Sequence, residues 1–453
     1  MPSPASTSKP TGYRWVICGL LFFSTTINYM DRSVITYLKE FFCTPVDQGG
    51  FGWSNSDYSY VTGFFTLFYA GMTMLAGWVI DKIGTKLGLA LSLIVWSVFG
   101  ILNAFVGRVV MIHTLVRSAF GIGEGGNFPA SIKTIAEWFP KRERALATGI
   151  FNSGSSVGNI LAALIVPWCL IYFGNEKGWK MAFILTGVVG FLWLIFWFWL
   201  YDTPGQQKRL SKAEFDYIHV DDEVKAVENG SADKAKVSWL KLLGYRQTWS
   251  FFFGKFMTDG IWWFYMFWLP DYLKKQFGMT KEQVFLPTVI VYGVAIVGSI
   301  YGGSIPLTFI KKGMPVYKAR MSAMFLIALF PLTVLATQYF GDVGHFGKMA
   351  AVFAVALICV GASAHQAWSA NLFTTVSDMF PKKAVASVTG IGAMAGGLGG
   401  FLVQLLAGAL TDSFKATPQI AYLLMFIVCA LSYLIAWGIM KALVPQHRTI
   451  TDL

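Results

Sequence analysis

The sequence predicts an all-α membrane protein of twelve transmembrane helices in two six-helix halves. Three observations carry this expectation. Of 453 residues, 55% are hydrophobic and only 13% charged, against roughly 25% charged in a soluble domain. Apolar runs of about 20 residues, the length that spans a bilayer, recur along the chain. A stretch from the first half also returns, in register, in the second.

The apolar runs centre near residues 25, 69, 95, 123, 157, 190, 262, 296, 329, 362, 399 and 429. A charged segment separates the first six from the last six, giving an N-terminal half (1–201), a linker (202–247) and a C-terminal half (248–453). Within the linker, "SKAEFDYI" reads as a short surface helix. The repeat joins "EWFPKRERALATGIFNSGSSVGNIL", from Glu137, to "DMFPKKAVASVTGIGAMAGGLGGFL", from Asp378. At a constant offset of 241, Phe139, Pro140, Lys141, Ala145, Thr148, Gly149, Ile150, Gly158 and Leu161 meet identical residues. Halves related in this way hold their substrate near the bilayer midplane, between them. Glycines at 149, 154 and 158, and again at 396, 397, 399 and 400, supply small faces on which helices approach closely.

The net charge of +12 does not describe a nucleic-acid-binding face. Basic residues fall in short clusters between apolar runs: Lys82 with Lys86, Lys141 with Arg142 and Arg144, Lys311 with Lys312, Lys318 and Arg320, and Lys382 with Lys383. This positive-inside pattern places those loops, and both termini, in the cytoplasm. The loop "TPVDQGGFGWSNSDYS" has no Lys or Arg and is expected on the other side. Residues 1–11 are polar and are not expected to form a signal peptide, because the following apolar run is long enough to stay as a span. The five cysteines lack CxxC spacing and read as small buried residues. No phosphate-binding loop, metal-ligand cluster or nucleophile–base spacing is present. Neither cofactor, metal nor enzymatic activity is expected, and a monomer is expected, since each chain would hold a complete pathway.

A charge at the bilayer centre costs about 3 kcal/mol even on insertion scales. The first half places Asp31 and Arg32 in its first span, and Arg117 and Glu124 in its fourth. Burial raises a carboxyl pKa and a nearby arginine lowers it. Asp31 and Glu124 are therefore candidate proton carriers, with Arg117 as a switchable partner of either; a static ion-pair network is the alternative. Arg32 points about 100° away from Asp31 around the helix, and its planar fork suits bidentate contact with a carboxylate. An organic anion is the cargo this chemistry fits.

In the second half, Lys255 and Asp259 stand at i, i+4, the spacing either of a self-neutralising pair or of a substrate contact. Trp263 follows, with an aromatic face able to stack on a sugar ring. The window "GASAHQAWSANLF" groups His365, Gln366, Trp368 and Asn371, a polarity that reads as hydroxyl recognition. His365 alone reads either as a packed histidine or as a proton carrier. Tyr69, Asn152, Ser155 and Gln404 add polar groups expected on the central cavity.

Four stretches, "NYMDR", "RSAFGIGEGGNFPA", "WFPKRERALATGIFNSGSSVG" and "AHQAWSANLFTTVSDMFP", together resemble the anion:cation symporter branch of the major facilitator superfamily over essentially the whole chain. The loop "GWVIDKIGTKLG" resembles that superfamily's loop pattern through Gly77, Asp81, Lys82, Gly84 and Lys86, implying a gating role for Asp81, Lys82 and Lys86. The branch carries hexuronates, aldonates and glucarate. The resemblance implies that Asp31 and Glu124 form the protonation pair and that Arg117 is their charge partner. It also implies that Tyr29, Arg32, Tyr69 and Trp368 contact the sugar acid. Ser155 and Ala393 stand where the galactonate type has glutamine and asparagine, whereas Lys255, Asp259 and "AHQA" match the hexuronate type. The expectation is a symporter importing a hexuronate, glucuronate or galacturonate, with protons across the inner membrane. The alternatives are another organic anion (aldonate, aldarate or aromatic acid) or a non-transporting sugar-acid sensor.

Overall fold

The computed structural model describes residues 11–219, 239–280, 282–446 and 450, and its regular structure there is helical throughout. Helix α1 (Tyr13–Cys43) packs most extensively on α6 (Lys141–Leu200). Between them lie α2 (Asn55–Ile83), α3 (Thr85–Leu102), α4 (Val110–Glu124) and α5 (Asn127–Trp138). After α7 (Lys212–Ile218) come α8 (Arg246–Phe277), α9 (Phe285–Lys311), α10 (Val316–Leu329), α11 (Met349–Met379), α12 (Lys382–Ser413) and α13 (Pro418–Leu443). The second set packs mainly as α9 on α11 and as α8 on α12 and α13.

Local chemistry explains where several helices start and stop. Ser54 and Asp57 form a reciprocal capping box at the start of α2, satisfying two otherwise orphaned N–H donors. Gly278 ends α8 with φ at 63°, a left-handed conformation that glycine adopts without penalty. The long α6 is two helices meeting at Gly174, whose φ of 71° and ψ of 166° break the spiral, so the expected fifth and sixth spans run on across this kink. The expected fourth span is likewise interrupted, between Glu124 and Asn127. The ninth continues from α10 into a 3₁₀ segment, Phe330–Ala336. The short helix expected at "SKAEFDYI" is α7, capped by the Ser211 hydroxyl.

Seven helices among the described residues are long and apolar enough to cross a membrane. Two others, α1 with 31 residues and α8 with 32, are long enough but carry Asp31 and Arg32, and Lys255 and Asp259, respectively. These two helices bring the charged side chains Arg32, Lys255 and Asp259 to the polar cavity.

Close helix approach depends on glycine at several places, although Gly149, expected to serve it, faces open space. A Cβ at Gly121 would lie 2.7 Å from the Phe65 carbonyl of α2, and one at Gly125 would lie 2.9 Å from the Tyr69 carbonyl. These glycines draw α4 onto α2 and bring Glu124 toward the molecular centre. Along α12, Gly397 and Gly400 meet Ala70 and Thr66 of α2, joining early and late helices across a narrow seam.

Candidate functional site

A cavity of about 750 Å³ lies between the early and late helices, within the range of about 300–1,000 Å³ usual for small-molecule sites. From the early helices it is walled by Tyr29 and Arg32 of α1, Tyr69 of α2, and Asn152, Ser155 and Asn159 of α6. From the late ones it receives Lys255, Asp259 and Trp263 of α8, with His365 and Gln366 of α11. Ten of the residues expected at a substrate site therefore share one wall or the other of a single chamber.

Arg32 is the most elaborately held of them. Its Nε donates to Glu124 Oε2 at 2.8 Å, and Nη2 donates to Asn28 Oδ1 at 3.2 Å. Its guanidinium carbon lies 4.4 Å from the Tyr29 ring, 4.5 Å from Tyr69 and 5.4 Å from Trp263. Aromatic faces stabilise a cation, so the guanidinium keeps favourable surroundings whether or not Glu124 holds it. Glu124 itself is buried, and its second oxygen, Oε1, has no hydrogen-bond partner among the described residues.

This geometry corrects the expected pairing. Among the described residues Arg117 bonds neither acid: its Nη2 donates to the backbone carbonyl of Arg32 at 3.1 Å, and its Nε and Nη1 find no hydrogen-bond partner there. Its guanidinium rests on Phe120 at 4.3 Å. Asp31 is buried off the chamber wall, beside Thr186 and Trp96, and makes no ion pair among the described residues. Arg117 and Glu124 are separated by seven residues of α4, about 10 Å of helical rise, too far for a direct pair, whereas Arg32 reaches Glu124 from α1.

On the opposite wall, Lys255 Nζ lies 2.6 Å from Asp259 Oδ2 and 4.6 Å from the Phe373 ring. His365 stacks on Trp262 at 5.2 Å, and its Nδ1 lies 2.9 Å from the Tyr433 hydroxyl. Trp368 and Asn371 do not line the chamber. Trp368 is fully buried against Tyr433, 5.6 Å away, and Asn371 donates to the carbonyls of Gly302 and Ala367. Helical rotation of about 100° per residue places His365, Gln366, Ser369 and Phe373 on one arc and leaves Trp368 and Asn371 outside it. That signal was present in the sequence. Gln404 also lies outside the wall, engaged by Trp268 Nε1 at 2.7 Å and donating to the Trp263 carbonyl at 3.0 Å. Tyr292 and Asn159 join the wall unexpectedly; an isolated tyrosine in the apolar run "TVIVYGVAIVG" was the available cue to the first.

Among the described residues, neither Lys82 nor Lys86 forms an ion pair with a late helix. Lys82 Nζ caps the Trp78 ring at 3.8 Å within α2, and Lys86 pairs with Asp202 at 2.6 Å. The Asp81 side chain lies outside the described residues. Ion pairs linking early and late helices occur at the other end of the molecule. Lys39 of α1 meets Asp271 of α8 at 2.6 Å, with its Nζ 3.9 Å from the Trp268 ring. Glu40 meets Lys274 at 2.6 Å, and Asp412 accepts from the backbone N–H groups of Asn55 and Ser56 at the start of α2. These charges stand near helix ends, where membrane proteins ordinarily carry them, so sequence spacing did not single them out.

At the end carrying the basic loops, Glu214 of α7 is buried and accepts from Thr11 Oγ1, the backbone N–H groups of Tyr13 and Arg14, and Arg14 Nη1. Burial opposes its charge, but these donors outweigh burial and hold the carboxyl below its ordinary range. The acid thereby caps α1 from a distant segment.

Residues 21–404 match the Major Facilitator Superfamily, and the chain belongs to that family. It is a multi-pass membrane transporter and not an enzyme. It is similar to the hexuronate transporter of Escherichia coli (strain K12), with 29% identity over 434 residues, covering 96% of this chain and 95% of that one. It is also similar to the galacturonate transporter of Dickeya chrysanthemi, with 31% identity over 307 residues, or 67% of this chain and 84% of that one. The D-galactonate transporter of Escherichia coli O6:H1 is 27% identical over 447 residues, covering 97% of this chain and 99% of that one. Among solved structures, a bacterial homolog to the human lysosomal transporter Spinster superposes with a TM-score of 0.72 at 18% identity, covering 98% of this chain and all of that one. A D-xylose-proton symporter gives a TM-score of 0.71 at 15% identity, covering 97% of this chain and all of that one. At these identities the structural likeness shows the fold alone.

Proposed function

We propose that the protein is a proton-coupled symporter that imports a hexuronate, glucuronate or galacturonate, by alternating access. The observation that carries this reading is Arg32 on the chamber wall, bonded to Glu124 and enclosed by Tyr29, Tyr69 and Trp263. A proton on Glu124 cancels its charge and releases the guanidinium. The released fork binds the sugar carboxylate, and the surrounding rings offer apolar faces to the sugar. Loss of the proton returns Arg32 to Glu124 and expels the anion. Asp31, buried with no ion pair among the described residues, is the second proton carrier, since a buried charge is costly unless paired. Arg117 assists through its field on both acids.

The architecture in this proposal has twelve spans: α6 supplies two, α4 with α5 one, and α10 with its continuation one. The halves before 202 and after 247 rock about the chamber. The basic loops place both termini in the cytoplasm, so the chamber, which extends toward the start of α6, opens inward. Lys39–Asp271, Glu40–Lys274 and Asp412 at α2 then close the outer side. Relatives named as hexuronate and galacturonate transporters support the cargo assignment. A second reading, a sugar diacid, has the support of the galactarate/D-glucarate transporter relative from Escherichia coli (strain K12), 28% identical over 440 residues.

Purified protein in liposomes tests the proposal. Labelled glucuronate or galacturonate should accumulate when an inward proton gradient is imposed and stop when an ionophore collapses it. Uptake of neither sugar acid by folded protein would overturn the cargo assignment, and accumulation indifferent to the gradient would overturn proton coupling.

A further inference from the structure

The charges on the chamber wall form a countable set. Among the described residues they are Arg32, Lys255 and Asp259, which sum to one positive charge. Glu124 stands behind Arg32 rather than on the wall, so the sum is what an arriving anion meets once Glu124 is neutral. Asp259 is decisive in that sum. It lies one helical turn from Lys255 on α8, within a stripe continued by Trp262, Trp263 and Met266 that faces the chamber.

The pair is built into its place rather than left by chance near the surface of the chamber. Phe373 underlies the Lys255 ammonium at 4.6 Å. Residue 396 of α12 is glycine, and a Cβ there would collide with Asp259 Oδ2. The missing side chain is what lets α12 close over the carboxylate. His365, the imidazole on this wall, turns its Nδ1 to the Tyr433 hydroxyl and not to Asp259. Lys255 is accordingly neutralised by its own helix and needs no anion from the substrate.

We propose that Asp259 sets the charge class of the cargo: by neutralising Lys255 it leaves one net positive charge on the wall and selects sugar acids with one carboxylate over those with two. A diacid bound to Arg32 by one end brings its second carboxylate toward the Lys255 wall, where Asp259 opposes it. Like charges brought together in this way discriminate against the wrong ligand. The inference rests on the sugar-acid reading above and adds to it the residue that separates hexuronates from aldarates.

The test is competition against labelled glucuronate uptake in liposomes by unlabelled glucuronate, galacturonate, glucarate and galactarate. In Asp259→Asn the inhibitory strength of the diacids relative to glucuronate should rise about tenfold or more. Asp259→Glu should keep the parent ratio, and the double variant Lys255→Gln with Asp259→Asn, whose wall again sums to one, should return to it. Should Asp259→Asn fail to fold, Gln366→Lys adds the same charge to the same wall with Asp259 intact and should shift the ratio in the same direction. An unchanged ratio in Asp259→Asn, or in Gln366→Lys where that variant replaces it, would overturn the inference. So would parent protein that takes diacids as readily as hexuronates, or weaker glucuronate uptake with no diacid gain. Parent protein that transports none of the four would instead overturn the proposed function.

Discussion

Two ion pairs face each other across the chamber, and they are built differently. Arg32–Glu124 joins two helices, α1 and α4, and leaves Glu124 Oε1 unpartnered. Lys255–Asp259 lies within α8 and closes on itself at 2.6 Å. A bond between helices depends on where those helices stand and on the protonation of one buried acid. A bond within one helix keeps its spacing when the helix moves as a body. The first pair is therefore suited to be opened and closed during a cycle, and the second to hold a constant charge. Similar chemistry is thus suited to switching in one place and to a fixed reference in the other.

The sharpest way to break this comparison is to remove the switch. Arg32→Ala should abolish both gradient-driven uptake and substrate exchange, a loss on the order of 100-fold or more, since losing one side of a buried, hydrogen-bonded charge contact with a ligand costs about 2–5 kcal/mol of binding. Arg32→Lys should rescue little, because an ammonium lacks the planar fork. Exchange that persists in Arg32→Ala would move anion recognition to Lys255.

A smaller effect is expected at the end closed by Lys39–Asp271. Lys39→Gln should weaken that closure and raise the population open on that face by about 5–30-fold, the consequence of 1–2 kcal/mol in a two-state equilibrium. Spin labels at Asp47 and Lys415, both exposed there, should show a longer distance component in the variant. An unchanged distance distribution would mean that Glu40–Lys274 and Asp412 at α2 carry the closure without Lys39.

The smallest effect concerns Glu214, which ties α7 to the start of α1. Its carboxyl is held below the ordinary value of 4.5, so the folded state favours its ionised form. The stabilisation is present above the unfolded value and is lost as pH falls through the folded one. Glu214→Gln should lower stability by about 1–2 kcal/mol near neutral pH and cease to differ from the parent in strong acid. Thermal unfolding of both proteins across pH checks this. An equal difference at every pH would assign the loss to packing rather than charge.

Much of this arrangement was legible in the sequence. Tyr29 and Arg32 at i, i+3, and the α8 stripe from Lys255 to Trp263, repeat at helical spacing and do face the chamber. The glycines around Glu124 announced the close α2–α4 contact. What spacing along a helix cannot encode is which helix comes to stand opposite. Arg32 becomes the partner of Glu124 where α1 meets α4, and Lys39 the partner of Asp271 where α1 meets α8. Trp368 and Asn371 lie off the wall for a simpler reason: angular position on α11, and not polarity, decides which side chains reach the chamber.

The central claim is that Glu124 and the substrate carboxylate compete for Arg32. Calorimetric titration of glucuronate into the purified protein, across acidic to weakly alkaline pH, tests it most directly when repeated with Glu124→Gln. The account predicts that parent affinity falls as pH rises, while the variant binds more tightly at the alkaline end with most of that dependence gone. A variant that keeps the full pH dependence of the parent would contradict it.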